Sequence, residues 1–595
     1  MSFPGYPQSR QFQTRQFQTL SVRVAVIALV VTGLTAKAGG QSIPPVVGAD
    51  WESYNNGVRG WRYNAEEKTL TPQTAPQLVE KWRFPPAGST AEVGVIHGTP
   101  AVVNGYVYFG TGSYPAFYKL KPNGQVAWVF RPGEGAIAEL PKGGLNRIDA
   151  GAGFLASPLV TDKAVYVGNN AGVFYALDRL TGRELWKVDT RAPGFPNHYA
   201  ANLFNASAIL ADGKIIVGGG GYEHSQPVDP NYPCCQGRGF VVAFDPDDGE
   251  VVWKYEVGEK PRKYSKPITI KDVKGTRTYH YGPSTSSVWS TPSYDAATGT
   301  IFFGTDVHNS PREPTEDDPR LYTRYSAAVI AVDVKSGDEK WVTQLNKNDV
   351  FNHAMAGYDP ASGTYKDCSV GDTPKIYSLP APDGSPATVL GVGCKNGGFY
   401  LLYSGDGRIL GNTPVYTGKP KYPLDPKRHP RMIALPSTIG GIQTGCATDG
   451  KRIFTNGIDW LTSTTITPGW PEAGRVVCLS ANLADEHWRH ERPRIRVPGY
   501  DGGDPIASGI AVNAGGIACF TSTVSERLVV VDAMTGRTAK ELYVGTVWSG
   551  PSISRGRIYV GTGSILFLKQ QLKGSLISYG LPGEDEIDRM GAGTE

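Results

Sequence analysis

The sequence has no run of basic residues interleaved with aromatic residues, the pattern by which proteins bind nucleic acid. Its 59 Lys and Arg residues are nearly balanced by 55 Asp and Glu residues, which gives a formal net charge of +4. That balance leaves no electrostatic footprint for a nucleic-acid partner. The sequence also has no Cys-x-x-Cys-His motif, which would attach haem c covalently. We therefore exclude nucleic-acid binding and a haem c attached to this sequence.

Long apolar runs are absent after the first forty residues. Within those forty, three arginines precede an apolar run over 24–34, and Ala36-Lys37-Ala38 supplies the small residues that a signal peptidase recognises. A membrane-spanning helix needs about 20 apolar residues, and this run is shorter. We predict a signal peptide over 1–38, with a retained membrane anchor as the alternative. The mature protein is then periplasmic or secreted without a membrane span, in a compartment where disulfides are permitted.

Glycine is abundant, with 74 residues, and aromatic residues make up 10% of the chain. This composition favours many short strands joined by tight turns. A short β run that ends in glycine or another small residue recurs along the chain. The copies are Gly105–Gly112, Lys163–Asn170, Gly213–Gly220, Gly299–Asp306, Ala387–Cys394, Lys451–Ile458, Gly515–Ser522 and Gly556–Gly563.

Most copies are followed by a second strand and a turn that places Asp, Gly and Trp in fixed register, as in Asp178/Gly182/Trp186. The glycine takes the positive-φ position of the turn, and the tryptophan enters the next strand and packs between sheets. We predict an all-β fold, an eight-bladed β-propeller over 39–580 with a C-terminal tail over 581–595. A strand near Leu78–Phe84 is expected to close the ring by pairing with the last blade. An open sandwich or an array of separate β domains is the alternative, but no linker separates the units.

The tryptophan repeat resembles the docking motif of dehydrogenases that depend on pyrroloquinoline quinone (PQQ), and of their cofactor-free relatives. The adjacent Cys234-Cys235, in the sequence YPCCQGRGF, resembles the polyvinyl-alcohol dehydrogenase branch of that family. The resemblance implies a disulfide between the two cysteines that lies flat against the quinone. Two free or separately bridged cysteines are the alternative. Alone, the repeat implies only the fold.

Three further segments are similar to the cofactor site of this family. Trp289, in SVWSTP, matches the tryptophan that stacks on the other face of the quinone, although blade core is the ordinary role of such a residue. Lys395-Asn396 begins a KNG-F-Y sequence similar to one in which the basic side chain reaches the quinone oxygens and stabilises the developing oxyanion. The resemblance implies that Lys395 and Asn396 both bind the cofactor. Arg238 is a candidate for pairing with a carboxylate of PQQ.

The resemblance also implies a Ca²⁺ ion held by hard oxygen ligands. Glu223 matches the acidic ligand of the family. Val307 stands where the family has an oxygen donor, so that either Asp306, one position earlier, replaces this ligand or the ligand is lost.

The catalytic base departs from the family pattern. Where the family has the aspartate that takes the alcohol proton, this sequence has Asn352, which cannot act as a base. We predict that Asp349, the nearest carboxylate, takes over this role.

The resemblance implies a PQQ- and Ca²⁺-dependent dehydrogenase of secondary alcohols, with polymeric substrates such as polyvinyl alcohol included. Electrons would pass to a soluble cytochrome c or another external acceptor. Small primary alcohols are the alternative substrate, and a cofactor-free scaffold propeller is the alternative function.

Overall fold

The computed structural model describes residues 48–587 with gaps, of which the longest are 134–152, 310–323 and 417–432. Its strands form eight antiparallel four-stranded blades, as predicted. In chain order the blades consist of Ala101–Val103, Tyr106–Thr111, Ala116–Leu120 and Val126–Phe130 (blade 1); Leu159–Val160, Ala164–Gly168, Val173–Asp178 and Glu184–Asp189 (blade 2); Ile209–Ala211, Lys214–Gly221, Phe240–Phe244 and Val251–Glu256 (blade 3); Ser293–Asp295, Thr300–Gly304, Ala328–Asp333 and Glu339–Gln344 (blade 4); Lys375–Pro380, Pro386–Gly393, Gly398–Tyr403 and Ile409–Pro414 (blade 5); Ala447–Thr448, Arg452–Thr462, Trp470–Ser480 and Glu486–Glu491 (blade 6); Ala511–Asn513, Ile517–Ser522, Arg527–Asp532 and Thr538–Tyr543 (blade 7); and Ser552–Ser554, Arg557–Gly561, Leu576–Gly580 and Val79–Phe84 (blade 8).

Several short elements supplement the blades. Asn202–Leu203, Ile433–Leu435 and Tyr63–Asn64 extend blades 3, 6 and 7. Three two-stranded hairpins lie outside the blades, formed by Arg262–Asp272 with Gly275–Gly282, Tyr358–Asp359 with Thr364–Tyr365, and Ile495–Val497 with Tyr500–Gly502. Single-turn 3₁₀ helices span Ala75–Gln77 and Gln226–Val228. No helix in the described part of the chain is long and apolar enough to cross a membrane. The proposed signal peptide, 1–38, lies outside the described residues.

The predicted ring closure is confirmed. Val79–Phe84 pairs antiparallel with Leu576–Gly580 and becomes the outermost strand of blade 8. The first strand of blade 8 also contacts the first strand of blade 1. A ring of this kind leaves no open sheet edge between its first and last blades.

In the described part of the chain, tryptophans pack six of the blades against the next blade. The indole of Trp186 in blade 2 lies against Gly249 of blade 3, where a Cβ atom would approach the ring to 2.6 Å. Its Nε1 donates a hydrogen bond to the carbonyl of Pro246 at 3.0 Å. The same pairing joins Trp82 with Gly124, Trp128 with Gly182, Trp253 with Gly337, Trp341 with Gly407 and Trp488 with Gly536. In these six turns the glycine therefore leaves room for the indole ring of the tryptophan in the preceding blade.

Residues 51–64, called the hub below, bind the innermost strands of the ring. They exchange backbone or side-chain hydrogen bonds with seven of the eight blades. The partners are Val102 (blade 1), Val160 (blade 2), Tyr294 (blade 4), Ile376 (blade 5), Thr448 (blade 6), Val512 (blade 7) and Ile553 (blade 8). The first strands contact one another between blades 4 and 5, between blades 6 and 7, and from blade 7 through blades 8 and 1 to blade 2. These first strands line the axis of the ring, and the hub that binds them therefore lies near the axis.

Candidate active site

Cys234 and Cys235 follow blade 3's second strand, and in the structure their sulfurs are paired with each other. The hairpin formed by Arg262–Asp272 and Gly275–Gly282, called the insert hairpin below, holds this pair through its backbone. The backbone N–H groups of His280 and Tyr281 donate hydrogen bonds to the Cys234 carbonyl at 2.9 and 3.1 Å. The backbone N–H of Cys235 donates to the Tyr281 carbonyl at 3.1 Å. The five remaining cysteines are buried and form no disulfide.

Glu223 lies beside the cysteine pair. One of its carboxylate oxygens accepts hydrogen bonds from the Tyr232 hydroxyl at 2.6 Å and the Gln236 N–H at 2.7 Å. Its other oxygen accepts one from the N–H of Gly237. Burial raises the pKa of Glu223, and these donors oppose that rise. The carboxylate and the two sulfurs lie within 4.8 Å of one another, but disulfide sulfurs are not thiolates, so Glu223 alone of the three is a ligand for a hard cation.

Lys395 is buried and forms an ion pair with Asp367, with 3.0 Å between Nζ and Oδ2. Burial lowers the pKa of Lys395, but the carboxylates of Asp367 and Asp306 outweigh it and hold the pKa above its usual value. Burial raises the pKa of Asp367 to about 7, against the attraction of Lys395. A carboxyl group with a pKa near neutrality is suited to accept and release protons at physiological pH.

Asp367 could not be recognised as a site residue from the sequence. It belongs to no recognisable motif, and its φ of 64° is the geometry of an ordinary turn aspartate. Its significance appears only when the fold brings it to Lys395.

Asp306 and Trp289 lie in the same neighbourhood. The Asp306 carboxylate accepts bonds from the Val307 N–H at 2.9 Å and from the Ser287 hydroxyl at 3.3 Å. Burial raises its pKa, and Lys395 opposes that rise. Trp289, two residues after Ser287, places its ring against Gly371, where a Cβ atom would lie 1.8 Å from it. Gly371 belongs to the segment that connects Asp367 to blade 5.

Asp349 has a different environment from the one expected of a base. It is fully buried, and its carboxylate accepts bonds from the N–H groups of Asp367 and Cys368 at 2.9 and 2.7 Å, and from Asn346 at 2.9 Å. These bonds position the Asp367 backbone. Asn352 is equally buried and donates to the Tyr279 hydroxyl and the Asn309 carbonyl, both at 2.9 Å. The predicted role of Asp349 as a base remains a prediction, and these contacts favour Asp367.

Two of the predicted cofactor contacts have other partners here. Arg238 forms an ion pair with Glu256 and also donates to the Gly258 carbonyl. Asn396 donates to the Tyr400 hydroxyl at 2.6 Å and accepts from the Gly398 N–H at 3.0 Å, within its own turn. Either side chain would have to exchange these partners to bind an anionic ligand.

His224 and His353 form a further pair that the sequence analysis missed. Their rings meet edge to face with 4.8 Å between centroids. The backbone N–H of His353 also donates a hydrogen bond to the His224 carbonyl at 2.9 Å. Burial lowers the pKa of His224 to about 4, with a smaller effect from Lys395. Burial also lowers the pKa of His353 well below its usual value. Both rings are neutral at physiological pH, and they link the Glu223 loop to the Asn352 loop.

The charge of the site fits a bound divalent cation. Asp306 and Asp349 both raise the pKa of Asp367 by repulsion, and Lys395 opposes them. Buried carboxylates are stabilised when they are paired or coordinate a metal. Carboxylate oxygens are also the donors that Ca²⁺ prefers. Asp306 and Glu223 therefore each offer an oxygen donor of the kind that the predicted metal prefers, and Trp289 offers an aromatic surface on which a planar cofactor could stack.

Comparison with known proteins identifies relatives of this chain. A family model described as PQQ, "Glucose/ethanol/alcohol dehydrogenase, beta-propeller domain", matches residues 51–363. A polyvinylalcohol dehydrogenase of Pseudomonas sp. is 25% identical over 76% of this chain and 61% of its own length. One of Sphingopyxis sp. (strain 113P3) is 26% identical over 82% of this chain and 68% of its own length. The chain thus spans 61% of the first relative and 68% of the second.

A solved structure shows the same fold. The quinohemoprotein alcohol dehydrogenase of Comamonas testosteroni superposes with a TM-score of 0.64 at 18% identity, over 90% of this chain and 81% of that one. The family match covers more than half of the chain, and the blades, the ring closure and the tryptophan pairings agree with it. The chain therefore belongs to the PQQ family of glucose/ethanol/alcohol dehydrogenase β-propeller domains.

Proposed function

We propose that this protein is a PQQ- and Ca²⁺-dependent dehydrogenase of secondary alcohols, including the hydroxyl groups of polymers such as polyvinyl alcohol. The observation that carries the proposal is the buried ion pair of Asp367 and Lys395, in which the pKa of Asp367 is about 7. The two polyvinylalcohol dehydrogenases among the relatives support the substrate class.

When bound, PQQ with its Ca²⁺ supplies an electron-poor carbonyl carbon that accepts a hydride from the alcohol carbon. The residues of the chain provide the remaining parts of the reaction. Asp367 accepts the hydroxyl proton, Lys395 keeps positive charge beside the developing oxyanion, and Asp349 fixes the loop on which Asp367 lies. Glu223 and Asp306 would hold the metal, and Trp289 and the Cys234–Cys235 pair would enclose the cofactor.

The location and the electron acceptor complete the proposal. Removal of residues 1–38 as a signal peptide would deliver the protein to the periplasm or the medium. There the reduced cofactor would be reoxidised by a soluble cytochrome c or another external carrier. N-terminal sequencing of the exported protein tests the first statement, and the expected first residue lies near Gly39.

Reconstitution of the purified apoprotein tests the function. We expect dye-linked oxidation of secondary alcohols only when PQQ and Ca²⁺ are both added. Faster turnover of ethanol than of 2-butanol and polyvinyl alcohol would replace the substrate class with small primary alcohols. Absence of PQQ binding at micromolar concentration with Ca²⁺ present would refute the enzyme and leave a scaffold propeller.

A further inference from the structure

The insert hairpin has two chemically different faces. Its buried face carries Tyr264, Ile268, Ile270 and Tyr279, which join a cluster with Cys234, Cys235, Val350, Phe351 and Met355. Its backbone also binds the cysteine pair directly through His280 and Tyr281. The hairpin is therefore one layer of sheet that separates the cysteine pair from the surface.

The outer face of the hairpin is strongly basic. Lys263, Lys266 and Lys271 are exposed cations of the hairpin, and Lys260 and Arg262 are exposed where its first strand begins. The acidic residues near them are Glu259, which is exposed, and Asp272 at the end of the first strand. Residues 259–282 contain seven Lys and Arg residues but only two Asp and Glu residues, whereas the whole chain has 59 basic and 55 acidic residues. Positive charge is therefore concentrated on this element. Such a patch attracts negatively charged partners over about one Debye length, roughly 8 Å at physiological ionic strength.

We propose that the outer face of the insert hairpin is the docking surface for an acidic electron-carrier protein. This inference rests on the proposed function, because a carrier is needed only if the site oxidises alcohols through a bound redox cofactor. It adds the place on the molecule where the carrier binds and the charge that the carrier must have.

Two observations favour a carrier over a substrate or a membrane surface. The hairpin is hydrogen-bonded to the cysteine pair that would lie against the cofactor. Electrons that leave the cofactor on the side of the cysteine pair therefore need to cross only the hairpin to reach a carrier on its outer face. Packed sheet layers are about 10 Å apart, and a carrier on the outer face would lie roughly that far from the layer of the disulfide. Uncharged alcohols, by contrast, gain nothing from a cationic surface.

The number of electrons released by one alcohol determines how often the carrier must dock. One alcohol that becomes a ketone loses two electrons and two protons, the electrons first passing to the bound cofactor. A carrier of one electron, such as an oxidised c-type cytochrome, then docks twice and is reduced each time. The two protons go to solvent water.

The test uses the triple charge reversal K263E/K266E/K271E. The probe is a purified acidic bacterial cytochrome c in its oxidised form, and a basic mitochondrial cytochrome c serves as the mismatched carrier. Binding is measured by titration calorimetry on the apoprotein at low and at physiological ionic strength, and cytochrome reduction on the enzyme reconstituted with PQQ and Ca²⁺. We expect the variant to bind the acidic cytochrome about tenfold more weakly, and the second-order rate of reduction to fall equally.

A matched control separates local from global charge. The variant K121E/K335E/K451E reverses three exposed lysines on the turns of other blades and changes the net charge equally. We expect it to bind the acidic cytochrome like the wild type, and dye-linked alcohol oxidation to be equal in all three proteins.

Other outcomes overturn the proposal. Equal losses in the two triple variants would show that net charge, not the hairpin, attracts the carrier. Binding of phosphatidylglycerol vesicles that requires the hairpin lysines, with unchanged cytochrome binding, would assign the surface to a membrane. Failure of dye-linked activity in the wild type refutes the proposed function separately, because calorimetry on the apoprotein needs no cofactor.

Discussion

Asp367 and Asp349 are joined by a hydrogen bond, yet their surroundings give them different chemistry. Asp367 pairs with Lys395 and has a pKa of about 7, whereas the carboxylate of Asp349 is saturated by donors. We expect D367N to lower kcat of the reconstituted enzyme at least a hundredfold, the typical contribution of a general base. Stopped-flow and steady-state dye reduction measure it, and the thermal midpoint is expected to change little.

D349N is the matched comparison. The Asp349 carboxylate accepts hydrogen bonds from the backbone N–H groups of Asp367 and Cys368. An asparagine has only one oxygen, so its NH₂ group would face one of these two donors. D349N should therefore lower the thermal midpoint clearly. If D349N abolished turnover at unchanged stability, while D367N remained active, the base would be Asp349 as predicted from the sequence.

The pH dependence follows from the same residue. Because Asp367 must be ionised to accept a proton, the rate of alcohol oxidation should rise with pH through an apparent pKa near 7. The shift also affects stability, because the folded pKa lies above the unfolded value of 3.8. The stability contributed by protonated Asp367 is complete at acidic pH and is lost as the pH rises through about 7. A rate profile that is flat between pH 6 and 8 would contradict the assignment.

The cysteine pair and Lys395 could be singled out from the sequence because their motifs are local. Cys234 and Cys235 are adjacent, and Lys395 lies in a short recognisable sequence. Asp367 could not be found this way, because a base is defined by its distance to Lys395 and by burial, which only the fold creates. The partners of Arg238 and Asn396 were missed for the same reason.

The docking glycines are the elements that join one blade to another. Gly536 has a φ of +70°, and a Cβ atom there would lie 2.6 Å from the ring of Trp488. Gly384 has a similar φ of +83° but has no atom within 4 Å of such a Cβ. G384A should therefore cost only the left-handed backbone penalty, about 1–2 kcal/mol. G536A adds overpacking against the indole, typically about 1–3 kcal/mol.

Differential scanning calorimetry at one fixed scan rate measures this difference, because a protein of this size is expected to unfold irreversibly. Equal thermal midpoints for G384A and G536A would show that the Trp488 indole does not overpack against a Cβ atom at position 536. Tryptophan fluorescence of G536A should also change, since the environment of Trp488 is altered.

The repeats were predictable as elements because strand, turn and tryptophan recur in register. The sequence did not show that a turn glycine packs against the tryptophan of the preceding blade, since that contact joins residues far apart in the chain. This explains why Asp532/Gly536, a copy without its own tryptophan, keeps the glycine, which receives Trp488. The insert hairpin was missed because it lies outside the repeat.

On the scale of the whole molecule, Arg62 in the hub ties three blades together. Its buried guanidinium donates to Ile510 at 2.8 Å, to Pro551 at 3.1 Å and to Thr99 at 3.3 Å, which precede blades 7, 8 and 1. We expect R62A to destabilise the protein by several kcal/mol, because each orphaned buried acceptor costs about 1–3 kcal/mol.

R83A is the control for this prediction. Arg83 pairs with Glu80 at 2.9 Å, and its side chain is 30% exposed, so its loss should cost less than about 1 kcal/mol. Thermal midpoints of the two variants give the comparison. An R62A midpoint as high as that of R83A would show that the hub does not stabilise the ring.

The hub and the closing strand Val79–Phe84 also determine when the chain can fold. Both precede blade 1 in the sequence, but their partners Ile553 and Leu576–Gly580 belong to blade 8. Contacts between such distant parts of a chain form late and slowly. The ring therefore cannot close until blade 8 has been synthesised. Late closure would suit the export that we propose, because a chain whose ring is still open can pass through a membrane pore in an unfolded state.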